Sequence, residues 1–184
     1  MATFRGFIAI ELDITPSILD FEKELKNIDA DMKVVEPENI HITLKFLGDL
    51  EENLTDEIEK IIKDAVKNIQ PFSIKLQGTG VFPNQNYIKV IWIGIKESQY
   101  LETIAQTINN NLGNLGFKKE KRGFSPHLTI ARVKTAKNKH HILKIIEKYD
   151  KKEFSVQQIN SITLKKSDLT SKGPVYTTIK EVAF

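Results

Sequence analysis

Phe124-Ser-Pro-His-Leu-Thr-Ile-Ala-Arg132 sets a histidine, a threonine two residues later and an arginine three residues beyond that in one short run. On an extended strand alternate side chains share a face, so His127 and Thr129 point one way and Leu128 and Ile130 the other. The pattern occurs once more, at His41-Ile-Thr-Leu44. The chain has only four histidines, and both hits carry apolar residues at the second and fourth positions. Two such strands facing one cleft would surround a small anion with two imidazoles and two hydroxyls. A lone histidine on a strand is more often structural than catalytic, so the repetition carries the weight. His140 and His141, adjacent at a helix start, read as surface residues.

Order along the chain supplies a way to bring the two strands together. Phe4–Leu12 reads as a buried strand, and Pro16 opens a helix to about Ile28. Met32–Val35 is a short strand. Ile40–Leu47 carries the first motif, and Gly48 is expected to stop it. Leu54–Ile69 has an apolar stripe at helical spacing. Phe72–Leu76 is a strand, followed by a loop or hairpin turn at Gly78, Gly80, Pro83, Asn84 and Asn86. Tyr87–Ile95 is another buried strand. Then come a helix over Tyr100–Leu115, a charged loop over Lys118–Arg122 and the second motif over Phe124–Val133. A helix over Lys137–Tyr149 and strands over Glu153–Ile159, Ser161–Lys166 and Tyr176–Val182 close the chain, with Ser167–Pro174 as a loop. Each half thus reads strand, helix, His-x-Thr strand, helix, strand, strand, which is the mark of an internal duplication. The expected fold is α+β and bilobal: a pseudo-twofold duplication of two antiparallel-sheet lobes, with outer helices, facing a central cleft. All 184 residues are expected to belong to that one domain, its two lobes interleaved.

Composition narrows the function classes. The length suffices for a substantial core, and no apolar run approaches the roughly 20 residues of a membrane-spanning helix. The first residues do not read as a signal peptide, so the cytoplasm is expected. With no cysteine there are no disulfides, no thiolate catalysis and no cysteine-bound zinc. A net charge of +3 is compatible with a polyanionic substrate. Lysines and arginines total 27, but only Arg5, Arg122 and Arg132 are arginines, and the last two flank His127. A planar, permanently charged fork suits phosphate better than an ammonium does. The Lys118–Arg122 loop is either a solvated connection or a contact for a nucleic-acid backbone.

Histidine transfers protons near neutral pH. Two of them on opposite sides of a phosphorus serve as acid and base in one in-line displacement. Thr43 and Thr129 would donate to non-bridging oxygens, and Arg132 would neutralise charge growing there. This chemistry needs no metal and no cofactor, and no P-loop, Gly-x-Ser-x-Gly or His-Glu-x-x-His pattern competes with it.

The paired motifs resemble those of the two-histidine phosphoesterase superfamily. Phe4-Arg-Gly-Phe7-Ile-Ala-Ile10, Pro37-Glu-Asn-Ile-His-Ile-Thr-Leu-Lys-Phe-Leu-Gly48, Val90-Ile-Trp92, the second motif and Ser167-Asp-Leu-Thr-Ser-Lys-Gly-Pro-Val-Tyr176 resemble its RNA 2′,3′-cyclic phosphodiesterase branch, also called the 2′-5′ RNA ligase family. The resemblance implies hydrolysis of a 2′,3′-cyclic phosphate at an RNA end to a 2′-phosphate. By carry-over His41 is the proton donor to the leaving 3′ oxygen and His127 the base that activates water. Phe46 and Phe7 either pack against the ribose or base or belong to the core. The implied partner is an RNA with a cyclic phosphate end, tRNA fragments among the candidates, acted on by a monomer with no membrane involved. A sister activity on small cyclic nucleotides or 2′-5′ oligonucleotides, and a non-catalytic RNA-end binding module, are the competing readings.

Overall fold

A computed structural model describes residues 2–120, 123–171 and 173–184. The elements run β1 (Thr3–Glu11), α1 (Pro16–Lys26), β2 (Met32–Val34), β3 (His41–Glu51), α2 (Thr55–Val66), β4 (Phe72–Asn84), β5 (Tyr87–Lys96), α3 (Gln99–Leu112), β6 (His127–Val133), α4 (Lys139–Lys148), β7 (Glu153–Ile159), β8 (Ser161–Thr170) and β9 (Gly173–Ala183). They form two antiparallel sheets, ordered β3-β1-β8-β9 and β2-β6-β5-β4-β7. Each sheet carries one motif strand, flanked inwardly by β1 in the first and by β5 in the second. This is the two-sheet α+β arrangement expected.

The helices cover the outer faces because that is where their apolar stripes find partners. α2 buries Ile58, Ile62, Ala65 and Val66, and α3 buries Leu101, Ile104, Ala105, Ile108 and Leu112. These two pack on each other and on β3, β8 and β9 of the first sheet, while α1 and α4 lie against β2, β4 and β7 of the second. β3 and β6, the two motif strands, approach each other directly across the gap between the sheets.

Three expected strand ends lie elsewhere. β3 continues through Gly48 to Glu51, because Gly48 takes a left-handed φ of +71° and absorbs a bulge between the Gly6–Gly48 and Phe7–Phe46 pairs. β4 continues past Gly78 (φ +75°) to Asn84 by the same device, and Gly80 is needed for another reason: a Cβ there would lie 2.2 Å from the Trp92 ring. Ser167–Thr170 and Gly173–Pro174 are not a loop; they pair as the end of the β8–β9 hairpin. Conversely, residues 123–126 are not strand, and β6 starts at His127.

Candidate active site

The two motif strands share an irregularity that builds the site. On β3, Thr43 pairs with Ala9 and Lys45 with Ile8, leaving Leu44 as an extra residue. On β6, Thr129 pairs with Trp92 and Ala131 with Ile91, leaving Ile130 extra. Each bulge follows the threonine and reverses the alternation beyond it. Leu44 and Lys45 are therefore both buried, as are Ile130 and Ala131, while Phe46 and Arg132 return to the side of the histidine and threonine. Strict alternation would have turned Arg132 into the core. Phe46 and Arg132 hold equivalent positions in the two halves, so one lobe offers an aromatic where the other offers a cation.

Both histidines are oriented alike. His41 Nδ1 lies 2.8 Å from the carbonyl of Asn39, and His127 Nδ1 lies 2.7 Å from that of Ser125. A carbonyl only accepts, so Nδ1–H is the donor in each ring and the neutral tautomer leaves Nε2 as the base. Nε2 of His41 is 2.9 Å from Thr43 Oγ1.

Around the two rings the lobes differ. His41 sits among Phe7 (ring centroids 4.9 Å apart) and Tyr176 (5.3 Å, edge-on at 87°). Phe7 is only 3% exposed and supports the His41 ring from behind, whereas Phe46 is 63% exposed and cannot be core. Glu11, the cross-strand partner of His41, forms an ion pair with Lys165, whose ammonium also reaches Thr178 Oγ1 at 3.1 Å. Burial holds the His41 imidazole below the usual histidine range; the Asn39 carbonyl opposes this, Lys165 and Arg132 add to it, and Glu11 counters them. Arg132 thus acts on a histidine of the opposite sheet. It also opposes the rise that burial imposes on the Tyr176 hydroxyl. Beside His127 the wall is aromatic: Phe82 meets its ring edge-on at 5.0 Å and lies 5.2 Å from Trp92, which faces Thr129 across the strand pair. The indole Nε1 is buried without a protein partner among the described residues.

His41, Thr43 and Phe46 thus share the less buried face of β3, and His127, Thr129 and Arg132 that of β6, with Arg132 near enough to His41 to act on its charge. Arg122 falls outside the described residues, as does part of the Lys118–Arg122 loop. His140 and His141 lie at the outer start of α4, their rings in mutual contact. Sequence reasoning missed Tyr176, Glu11 and Lys165 as cleft residues. The signal for Lys165 was present: it follows the buried run Ile162, Thr163 and Leu164, on the same face as Thr163. Lys165 holds the place on its sheet that Phe82 holds on the other, since each is the cross-strand neighbour of the residue paired with Phe46 or Arg132.

Two antiparallel sheets, each presenting a bulged His-x-Thr strand to a shared cleft, define a duplicated two-histidine architecture. The model of the 2′-5′ RNA ligase superfamily matches residues 23–168. The chain is 45% identical over 179 residues to an RNA 2′,3′-cyclic phosphodiesterase of Methanocaldococcus jannaschii, covering 96% of this chain and 99% of that one. It is 36% identical over 175 residues to the protein of that name from Methanothermobacter thermautotrophicus, covering 94% and 95%. The crystal structure of TT0787 of Thermus thermophilus has the same fold, with a TM-score of 0.82 at 23% identity over 97% of each chain. The chain belongs to the 2′-5′ RNA ligase superfamily and is an enzyme. Among the described residues no helix is long and apolar enough to cross a membrane.

Proposed function

We propose that the chain hydrolyses the 2′,3′-cyclic phosphate at an RNA end to a 2′-phosphomonoester. The observation that carries this is the matched pair of histidines, each held through Nδ1 by the carbonyl two residues upstream and each followed at the second position by a threonine. In the proposed reaction His127 Nε2 takes a proton from water as its oxygen bonds to phosphorus. The P–O3′ bond breaks in line, and the proton on His41 Nε2 passes to the departing 3′ oxygen. Thr43 and Thr129 donate to the non-bridging oxygens, and Arg132 balances the charge gathering on them. Phe46 packs against the ribose or base. The relatives' name, RNA 2′,3′-cyclic phosphodiesterase, supports this substrate. One chain carries both motifs, so a monomer suffices, and a cysteine-free enzyme of RNA ends, tRNA fragments included, fits the cytoplasm.

As an acid, His41 must hold a proton that its buried surroundings disfavour. A phosphodiester anion between the two histidines supplies the compensating charge. The depressed basicity of His41 also favours a second reading, with the two roles exchanged and a 3′-phosphate as product. With a 5′-hydroxyl in place of water, the same site forms the O5′–P bond as P–O3′ breaks and leaves a 2′-5′ linkage, without a nucleotide cofactor because the strained ester holds the energy. Water outnumbers RNA ends, so hydrolysis dominates.

Phosphorus NMR of the protein with a short RNA ending in a cyclic phosphate, in EDTA, tests the proposal. The expected product is the 2′-monophosphate. A 3′-monophosphate would establish the exchanged roles, and no turnover in EDTA would remove the metal-independent mechanism.

A further inference from the structure

Lys45 is the odd residue of the first motif strand. The bulge turns it toward the helices, where the second strand has Ala131, and leaves it 4% exposed. Its ammonium donates to Asn109 Oδ1 and to the Lys118 carbonyl, each at 2.9 Å, and lies 3.6 Å from a Glu120 carboxylate oxygen. Asn109 Oδ1 also accepts from the Glu120 amide at 3.0 Å. A buried ammonium is costly to leave unpaired, so these contacts tie residues 117–120 to the motif strand. The tie builds one wall of a cavity of about 600 Å³, lined chiefly by Phe46, Gly48, Phe117, Lys118 and Lys119.

The cavity adjoins the catalytic cleft through one side chain. Phe46 lines it on one flank, and on the other its ring lies 6.3 Å from Phe7, which in turn touches His41. An exposed phenyl ring, Phe46, and the outer side of a half-buried one, Phe117, beside two exposed lysines are the chemistry of a single-stranded nucleic-acid groove: bases stack on the rings and the backbone runs along the cations. Glu120 also lines the cavity, but its carboxylate faces the Lys45 ammonium.

We infer that this cavity seats the nucleotide that precedes the cyclic-phosphate terminus of a single-stranded RNA. Its base stacks on Phe46 and Phe117, and the linking phosphate lies against Lys118 and Lys119. Stacking on phenyl faces is sequence-tolerant, so the subsite selects for an oligonucleotide rather than for a particular base. This rests on the RNA-end reading above.

The test compares adenosine 2′,3′-cyclic phosphate with a diadenosine carrying the same cyclic end. It uses the natural chain, Phe117→Ala and the double variant Lys118→Ala/Lys119→Ala. The natural chain is expected to favour the dinucleotide by roughly tenfold in kcat/KM, the worth of one stacked base. Phe117→Ala should lose most of that preference while turning over the mononucleotide as before. The lysine pair is exposed, and its loss should lower kcat/KM for the dinucleotide alone and flatten its salt dependence. Equal turnover of both substrates by the natural chain would overturn the subsite and leave the cyclic phosphodiesterase reading intact. Equal losses on both substrates in the variants would overturn it too. If the natural chain hydrolyses neither, the functional reading fails and takes the subsite with it.

Discussion

At the scale of single residues, the site depends on how charges are distributed around His41. Burial and the cations Lys165 and Arg132 hold its proton affinity down, and Glu11 raises it. Lys165→Met removes a cation and leaves Glu11 unpaired, so both changes move the His41 titration upward. Glu11→Gln moves it downward. Proton NMR of the His41 ring in the three proteins reads this directly, and an unmoved titration in Lys165→Met would refute the electrostatic coupling. Stability carries the same sign. The folded value lies below the unfolded one, about 6.5, so on acidification the unfolded chain binds this proton first. The destabilisation therefore starts as pH falls through the unfolded value and is complete below the folded one. His41→Gln should flatten the fall of Tm with acid in that window. For the chemistry, His41→Ala and His127→Ala are each expected to lower kcat by about 10²–10⁴ with the fold intact; full activity in either would refute the paired mechanism. Arg132→Ala is expected to cost about 10²–10³ if it meets charge developing in the transition state.

Among the elements, the bulges after Thr43 and Thr129 decide which residues reach the cleft, and Gly80 decides where the indole of the second sheet lies. An alanine Cβ at Gly80 would stand 2.2 Å from Trp92, inside contact distance, so the ring must move. Trp92 touches Phe82, and Phe82 touches His127. Gly80→Ala should therefore lower kcat by about tenfold through a misplaced His127 imidazole, each tenfold in rate corresponding to about 1.4 kcal/mol. Trp92 is the only tryptophan, and its emission should shift with the substitution. Unchanged emission and activity together would mean that the sheet relaxes around the methyl group. The same features mark the limits of sequence reading. Both motif strands are legible, because histidine is scarce here and the His-x-Thr pattern recurs with an apolar alternation. Arg132 is legible as an arginine among lysines, but its face is not: Leu44 and Ile130 are ordinary apolar residues, and nothing in them announces a bulge. Gly48 reads as a strand end and Gly78 and Gly80 as parts of a loop or hairpin turn, because a glycine that carries a bulge or makes room for a ring has the same one-letter appearance as one that makes a turn. Tyr176 is illegible as a site residue, and Lys165 is legible only as a lysine after a buried run, because their proximity to His41 is set by the pairing of β1 with β8 and of β8 with β9, and strand order is not written in local periodicity.

For the molecule as a whole, the proposed reaction requires one ligand to be held by two sheets whose motif strands are 86 residues apart in sequence. α2 and α3 secure the first sheet and α1 and α4 the second, while the cleft between them is lined by polar and aromatic side chains. Arg132, which stands on the second sheet but acts on His41 and Tyr176 of the first, is the electrostatic link across that cleft. A product nucleotide bearing a 2′-phosphate should therefore stabilise both lobes at once. At a hundred times its Kd, a ligand that binds only the folded chain adds about 2.7 kcal/mol. For a chain of this size that raises Tm by roughly 5–10 °C. With adenosine 2′-monophosphate the shift should appear as one transition moved upward. It should shrink in His41→Ala, in His127→Ala and in Arg132→Ala, although the first of these residues lies on one sheet and the other two on the opposite one. A full shift in His127→Ala and Arg132→Ala, with loss only in His41→Ala, would mean that the nucleotide sits on the first sheet alone, and the two histidines could not then act on one phosphorus.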